Sequence, residues 1–212
     1  MAGHTIFFDW DGTLADSMDV CVEGIRLACA RLSLPCPEDE LIYRCNGPAY
    51  DACIGILGVP ASIASTFLRV RAQAEMEVLD RTQRLFPGVR EMLQELSRQA
   101  TLCIVSNGLQ DYLDRSLQVT GIAGFFERAQ ARIDGLQKPE VLRRMIQEGK
   151  PSSAVMIGDC RGDIEAGKAN GLRTIGAAYG YGKREEWSLA DQIAYSVEEL
   201  VPLALPRQED RL

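Results

Sequence analysis

The stretch Ile6-Phe7-Phe8-Asp9-Trp10-Asp11-Gly12-Thr13 indicates the fold class of this 212-residue chain. Its first three residues form a short apolar run, which is typical of a strand buried on both faces of a parallel sheet. Two aspartates, a glycine and a threonine follow where that strand ends. Because ligands of open α/β sheets bind outside the carboxyl ends of the strands, we expect Asp9 and Asp11 to lie at a ligand site.

Two carboxylates this close together suggest a particular chemistry. They are costly unless one is protonated or a cation lies between them, and Mg²⁺ prefers such oxygen ligands. An aspartate can be the nucleophile in phosphoryl transfer, and a second carboxylate can be the general acid and base. Thr13 is suited to hydrogen-bond the nucleophile or a phosphate. An ordinary turn uses the same residue types, but a calcium loop does not fit, because Val20 stands where its last ligand would be.

Three further polar groups follow later apolar runs or precede helical stretches. Each has an ordinary alternative on its own: a helix N-cap, a solvated surface lysine and a capped helix start. Their order along the chain nevertheless favours one site, because the ends of parallel strands meet at one edge of a sheet. With residues 9–13 as the first motif, these groups are the second, third and fourth motifs. They are, in chain order, Ser106-Asn107-Gly108, Lys138-Pro139 and Gly158-Asp159 with Asp163.

Together these motifs resemble those of the haloacid dehalogenase-like hydrolase superfamily. The runs at 14–17 and 163–171 are similar to its phosphoglycolate phosphatase-like branch. The resemblance implies an α/β fold, with a Rossmann-like parallel sheet core, helices on both faces and an inserted all-helical cap domain. It also implies a Mg²⁺ cofactor and a phosphatase that hydrolyses a small phosphorylated metabolite through an aspartyl-phosphate. Trp10 departs from the smaller aliphatic residue that is usual in the first motif.

The resemblance also implies a role for each motif residue. Asp9 would be the nucleophile and Asp11 the general acid and base. Ser106 would bind the phosphoryl group, Lys138 would neutralise charge, and Asp163 would hold Lys138 in place. The implied metal ligands are Asp9, Asp11 and Asp159, and the candidate substrate-binding residues are Thr13, Asn107, Gly108 and Arg44.

Several functions remain open at this point. The acid at Asp11 favours a phosphate ester or anhydride over a carbon–halogen substrate, since a leaving oxygen needs a proton. Phosphoglycolate is the default substrate by resemblance. A sugar phosphomutase, a pyrophosphatase, or a non-catalytic protein that binds phosphate or a partner could be built on the same core.

Composition limits the partners. The chain is 46% hydrophobic and 25% charged, as in ordinary globular proteins, and its net charge is −7. That charge argues against nucleic acid and anionic membranes as partners. No secretory signal or membrane-spanning run is found, and the seven cysteines lack metal-site spacing. We therefore expect reduced thiols, a cytoplasmic location, and a monomer or homodimer.

Hydrophobic periodicity divides the chain into two parts. Residues 1–16 and 87–212 are predicted to form the α/β core, because strands and helices alternate there. Residues 17–86 are predicted to form the helical cap, with helical spacing at 20–32 and 63–79 and no strand. The turn at Asn46-Gly47-Pro48 places Arg44 and Tyr50 where they could face the core. The loop 179–182 could line an entrance or be structural, and the tail from Arg207 is expected to fray.

Overall fold

A parallel sheet forms the centre of the molecule. The structure is a computed structural model that describes residues 3–205, so the predicted frayed tail lies outside the described residues. The strands are β1 (His4–Phe8), β2 (Ala15–Asp16), β3 (Arg84–Leu85), β4 (Thr101–Val105), β5 (Arg128–Gln130), β6 (Ser153–Gly158), β7 (Arg173–Ala177) and β8 (Gln192–Ala194). Six of them form one sheet in the order β5-β4-β1-β6-β7-β8, and every neighbouring pair is parallel.

Helices follow or connect these strands. They are α1 (Met18–Arg31), α2 (Asp39–Tyr43), α3 (Cys53–Ile56), α4 (Ala64–Thr82), α5 (Val89–Leu96), α6 (Gln110–Thr120), α7 (Lys138–Gly149), α8 (Arg161–Ala169), α9 (Arg184–Trp187) and α10 (Leu200–Ala204). Short 3₁₀ turns lie at Tyr50–Ala52, Ala61–Ile63 and Ala123–Phe125. Within residues 3–205, none of the helices combines the length and the apolar character needed to cross a bilayer.

The sheet is buried on both faces, as the apolar runs predict. Ile6 and Phe8 of β1 point into a core that includes residues of α5, α6 and α10. Phe7, between them, points into a second core formed with α7 and α8. Alternating side chains of one strand therefore serve two hydrophobic layers, which confirms the predicted sheet with helices on both faces.

The strand register brings the motif residues to one edge. Phe8, the last residue of β1, pairs with Ile104 of β4 and with Ile157 of β6. These three strands therefore end at nearly the same level. The residues that follow them, among them Asp9 and Ser106, emerge at the carboxyl edge of the sheet.

The regular secondary structure between β2 and β3 is all helical, and this helical segment has a hydrophobic cluster of its own. Its long helices α1 and α4 pack together, and a side chain at Gly24 of α1 would overlap Glu75 of α4. The prediction of no strand between 17 and 86 was wrong for β3. Its two residues pair antiparallel with β2, a length too short to show any periodicity.

Candidate active site

Lys138 joins the end of the first strand to the fourth motif. Its ammonium Nζ donates to Asp9 Oδ1 at 2.6 Å and to Asp163 Oδ1 at 2.5 Å. All three side chains are almost completely buried. Lys138 is the first residue of α7, so the start of that helix carries a cation into a site formed by strand ends.

Asp163 is held by the start of α8. It is the third residue of that helix, and its Oδ2 accepts the backbone N–H of Cys160 at 3.0 Å. A carboxylate in the first helical turn is also favoured by the helix dipole. A side chain at Gly158 would overlap Asp163, so the glycine of the fourth motif permits this close packing.

Asp159 is completely buried and accepts four hydrogen bonds, one of them from the Cys160 thiol at 3.5 Å. Its Oδ2 accepts the backbone N–H groups of Tyr181 and Gly182, both at 2.9 Å, and its Oδ1 accepts the Thr13 hydroxyl at 3.3 Å. Thr13 was predicted to bind the nucleophile or the phosphate, and the structure places its hydroxyl on Asp159 instead. The side chain of Thr13 is itself fully buried, and Thr13 is not among the residues that line the cavity in front of Asp9.

The loop 179–182 holds Asp159 in place. A side chain at Gly180 would overlap the carbonyl oxygen of Gly12, and one at Gly182 would overlap the carbonyl oxygen of Asp159. Tyr179 Oη also donates to the carbonyl oxygen of Thr13 at 2.9 Å. Of the two hypotheses for this loop, the contacts favour a structural one, because its backbone lies against the first and fourth motifs.

We expect Gly180→Ala to destabilise the fold and to disturb Asp159. The added methyl group meets backbone rather than a flexible side chain, so the cost should reach about 1–3 kcal/mol. Urea unfolding would measure it, with Gly55→Ala as the control, since a side chain at Gly55 meets nothing within 4 Å. Equal stability of the two variants would contradict the packing described here.

Asp11 is partly buried and is held by an aromatic hydroxyl. Tyr112 Oη donates to Asp11 Oδ1 at 2.9 Å. Burial raises the pKa of Asp11 above its ordinary value, against the opposing effect of hydrogen bonds from Ser17 and Tyr112. A raised pKa suits a group that must hold a proton for a leaving oxygen. Tyr112 is not among the predicted site residues, although its position in the helix after Ser106-Asn107-Gly108 is a signal that points to it.

The second motif lies beside Asp9 and contacts the helical segment. Ser106 Oγ accepts the backbone N–H of Gly108 at 3.1 Å. Asn107 Nδ2 donates to the carbonyl oxygen of Gly47 at 3.1 Å, which ties the end of β4 to the turn 46–48. The candidate substrate-binding residues Asn107 and Gly108 therefore lie where the helical segment covers the strand ends.

A small cavity of about 40 Å³ lies in front of Asp9. Its lining brings together Asp9, Asp11, Ser106, Asn107 and Gly108 with residues of the helical segment, namely Cys45, Asn46, Gly47, Pro48, Tyr50 and Arg71. Arg44 is exposed and is not among the lining residues, contrary to its prediction as a substrate-binding residue. It follows α2 on the outer side, whereas the turn 46–48 reaches the cavity.

Arg71 supplies the positive charge that Arg44 does not. It lies in α4, 4% exposed, and its Nε donates to Glu75 Oε1 at 2.7 Å. Arg71 is not among the predicted site residues, because the helical spacing at 63–79 predicts only a cap helix. The signal was present: Arg71 and Glu75 recur at helical spacing with the apolar residues Phe67 and Val78.

The site carries more negative than positive charge. Burial, followed by the charge of Asp163, raises the pKa of Asp9 well above its ordinary value and that of Asp159 to about 7. Burial alone would lower the pKa of Lys138, but the charges of Asp163 and Asp9 outweigh it and raise that pKa. One ammonium therefore faces three buried carboxylates, and a further cation would favour their ionised forms.

The donor set fits a hard divalent cation. Asp9, Asp11 and Asp159 offer carboxylate and carbonyl oxygens, which Mg²⁺ prefers. Acidic and thiol atoms of Asp159, Cys160 and Asp163 also lie within 4.8 Å of one another. Lys138 pairs with Asp9 and with Asp163, whereas Asp11 and Asp159 have no cationic partner among the described ion pairs.

Comparisons with known proteins agree with this geometry. A family model described as haloacid dehalogenase-like hydrolase matches residues 6–177. The phosphoglycolate phosphatase of Vibrio parahaemolyticus is 29% identical over 213 residues, covering 92% of this chain and 93% of that protein. The tyrosine-protein kinase PtkA of Mycobacterium tuberculosis is 28% identical over 186 residues, covering 85% of this chain but only 64% of the kinase.

The fold itself is also found among solved structures. A haloacid dehalogenase-like family protein from Streptococcus pneumoniae superposes with a TM-score of 0.87 at 22% identity, covering 94% of this chain and 97% of that one. The family model extends from the first strand to β7 and so includes all four motifs. The chain therefore belongs to the haloacid dehalogenase-like hydrolases.

Proposed function

We propose that this protein is a Mg²⁺-dependent phosphatase that hydrolyses a small phosphomonoester, similar to phosphoglycolate, through an aspartyl-phosphate. One observation carries the proposal: Asp9 is buried beside the ammonium of Lys138 at 2.6 Å, in a cavity that it shares with Asp11. A nucleophile next to an acid is needed for turnover and not for binding alone. The relative named phosphoglycolate phosphatase, aligned over 92% of the chain, supports the substrate class.

The reaction proceeds in two displacements. In the first, a carboxylate oxygen of Asp9 forms a bond to phosphorus while the bond to the leaving oxygen breaks, and Asp11 gives that oxygen its proton. In the second, Asp11 takes a proton from water, whose oxygen bonds to phosphorus and releases Asp9. Lys138 neutralises charge on Asp9 and on the phosphoryl group, and Ser106 and the backbone near Gly108 position the phosphoryl oxygens.

The proposed Mg²⁺ would be held by Asp9, Asp159 and the backbone carbonyl of Asp11. When bound, it supplies positive charge that offsets the repulsion between an anionic nucleophile and an anionic phosphate. Asp159 is already oriented for this role by the backbone of Tyr181 and Gly182.

We propose residues 17–86 as a cap over this site. Their turn at 46–48 and Arg71 line the cavity in front of Asp9, and closure would exclude water during the first displacement. We also propose a cytoplasmic location and a small metabolite as the only partner of the site. All seven cysteines are free thiols, which suits a reducing compartment.

The test is phosphate release by the purified protein, with Mg²⁺ and with EDTA, from phosphoglycolate, sugar phosphates and pyrophosphate. We expect release that depends on Mg²⁺ and is fastest with a small monoester. Fastest release from pyrophosphate would favour a pyrophosphatase, and isomerisation of a sugar phosphate without release would favour a mutase. Binding of these compounds by folded protein with no turnover would favour a non-catalytic protein.

A further inference from the structure

A buried ion pair faces the site from the helical segment and takes no part in the proposed two displacements. Arg71 and Glu75 are each 4% exposed and are joined at 2.7 Å. Tyr50 Oη donates to the second oxygen of Glu75 at 2.9 Å, and the guanidinium lies 4.3 Å from the centre of the Tyr50 ring. Burying two charges carries a large desolvation cost, and apolar residues would often be at least as stabilising.

The pair is oriented with Arg71 toward the nucleophile. Arg71 lines the cavity of about 40 Å³ beside Asp9, and it also lines a neighbouring cavity of about 30 Å³ beside Asp11. Glu75 lines only the second of these two cavities. Among the described residues, Arg71 is the one cationic side chain in the lining of the cavity beside Asp9.

The outer nitrogens of Arg71 have long contacts to a backbone carbonyl oxygen and to a thiol, and the Cys53 thiol is a further hydrogen-bond partner of Arg71. Nε is well bonded to Glu75, but Nη1 reaches the carbonyl oxygen of Tyr50 at 3.4 Å and Nη2 reaches Cys21 Sγ at 3.9 Å. Good N–H···O bonds measure about 2.7–3.2 Å. The two outer nitrogens of a guanidinium form a planar fork that matches the two oxygens of a carboxylate.

The space near Arg71 limits the length of the bound group. The two small cavities are comparable in volume to one water molecule, which occupies about 30 Å³ in the liquid. A larger cleft of about 790 Å³ lies beyond, and Glu75 and Tyr112 border both it and the smaller inner cavity. A short leaving group that extends from Asp9 along the cavity lining would reach Arg71, whereas a long one would need more space than these two small cavities provide.

We propose that Arg71 determines specificity by binding a carboxylate of the substrate, so that the enzyme selects short phosphomonoesters with an acid group one or two carbons from the phosphate. This inference rests on the proposed phosphatase function. Lys138 and the Ser106 motif serve the phosphoryl end, which leaves Arg71 for the other end. Glu75 and Tyr50 hold the guanidinium in place and are positioning residues.

The experiment compares two esters of matched length, 2-phosphoglycolate and 2-hydroxyethyl phosphate, which differ in one carboxylate. The ratio of their kcat/KM values is measured within each preparation, so it does not depend on the folded fraction. The variant is Arg71→Gln with Glu75→Gln, because the double change leaves no unpaired buried charge. Arg26→Gln, at an exposed ion pair with Asp39, is the matched control.

We expect the wild type to prefer the acid ester. The double variant should lose about 10- to 100-fold of that preference, mainly through a higher KM, since a charged hydrogen bond contributes equally to substrate and transition state. Arg71→Lys, which keeps the charge but not the fork, should lose part of it, and Arg26→Gln none. Turnover of both esters at an unchanged ratio would overturn this inference alone. Absence of turnover of either ester by the wild type would overturn the proposed function.

Discussion

Asp9→Asn should reduce phosphate release by roughly 10⁴- to 10⁶-fold, because an amide cannot form the acyl phosphate and the remaining groups have no nucleophile to serve. Phosphate release at saturating substrate measures the loss. Asp134→Asn is the matched control, since that side chain is 98% exposed and lies outside the site.

The same substitution should leave the fold intact. The raised pKa of Asp9, caused first by burial, means that its ionised form is less stable in the folded protein than in the unfolded chain. A neutral amide removes that penalty, and Lys138 keeps Asp163 as a partner. In EDTA, the melting temperature of Asp9→Asn should therefore equal or exceed that of the wild type. A variant that is inactive because it is unfolded would contradict this prediction.

Lys138→Met should affect both stability and turnover. Removing one member of a buried ionic group leaves uncompensated charge and costs about 3–5 kcal/mol. Here the loss exposes Asp9 and Asp163 to each other without an intervening cation. Turnover should fall by about 10³-fold, because a preorganised positive charge is lost from the transition state. Urea unfolding and phosphate release measure the two effects, with Lys150→Met, an exposed position, as the control.

The stability loss of Lys138→Met should also depend on pH. The raised pKa of Lys138 means that its contribution in the wild type is fully present below the unfolded value of about 10.5 and is lost only at higher pH. The pKa values of Asp9 and Asp159 are raised in the folded protein, and that of Asp159 is about 7. Above about pH 4, where these carboxyl groups ionise in the unfolded chain, the metal-free folded protein therefore binds more protons than the unfolded chain. For Asp159 this window ends near pH 7. Stability falls as pH rises through that window. Without the ammonium, which lowers the pKa of Asp9, the fall should be steeper, so the variant should partly recover near pH 5.

The core of the fold could be predicted from sequence because its strands are continuous apolar runs followed by polar motifs. The apolar residues at 6–8 and 155–157 are buried, and their parallel pairing follows from the alternation with helices. The sequence pattern does not predict the strand Arg128–Gln130. It is a three-residue edge strand with only half-buried side chains, so it has no strong pattern.

The contacts across the site could not be predicted, because they join residues far apart in sequence. Asp159 is fixed by backbone N–H groups of Tyr181 and Gly182. Because nearly every residue type has a backbone N–H, such donors cannot be recognised in a sequence unless the close packing requires glycine. Arg71 lines the Asp9 cavity from α4, a helix that packs closely on α1 near Gly24. The motif residues themselves were predictable, since each had to follow the end of a strand.

The packing of the Trp10 side chain could not be predicted from its place in the first motif. It lies between the two aspartates of the first motif, is completely buried, and packs in the core beneath the sheet. Its indole N–H has no hydrogen-bond partner among the described residues. Trp10 departs from the residue that is usual in the motif. Its side chain packs in the hydrophobic core and is not among the residues that line the cavity in front of Asp9.

The pairing of β2 with β3 has an evolutionary consequence. Ala15 pairs with Leu85 and Asp16 with Arg84, so the helical segment leaves and re-enters the core at one place. When the two ends of a segment are joined, the entropy cost of closing it grows only with the logarithm of its length. Mutation or recombination could therefore reshape the part that contains Arg71 while leaving the nucleophile untouched. On the proposal made here, descendants of this chain could acquire new substrates without inventing the chemistry again.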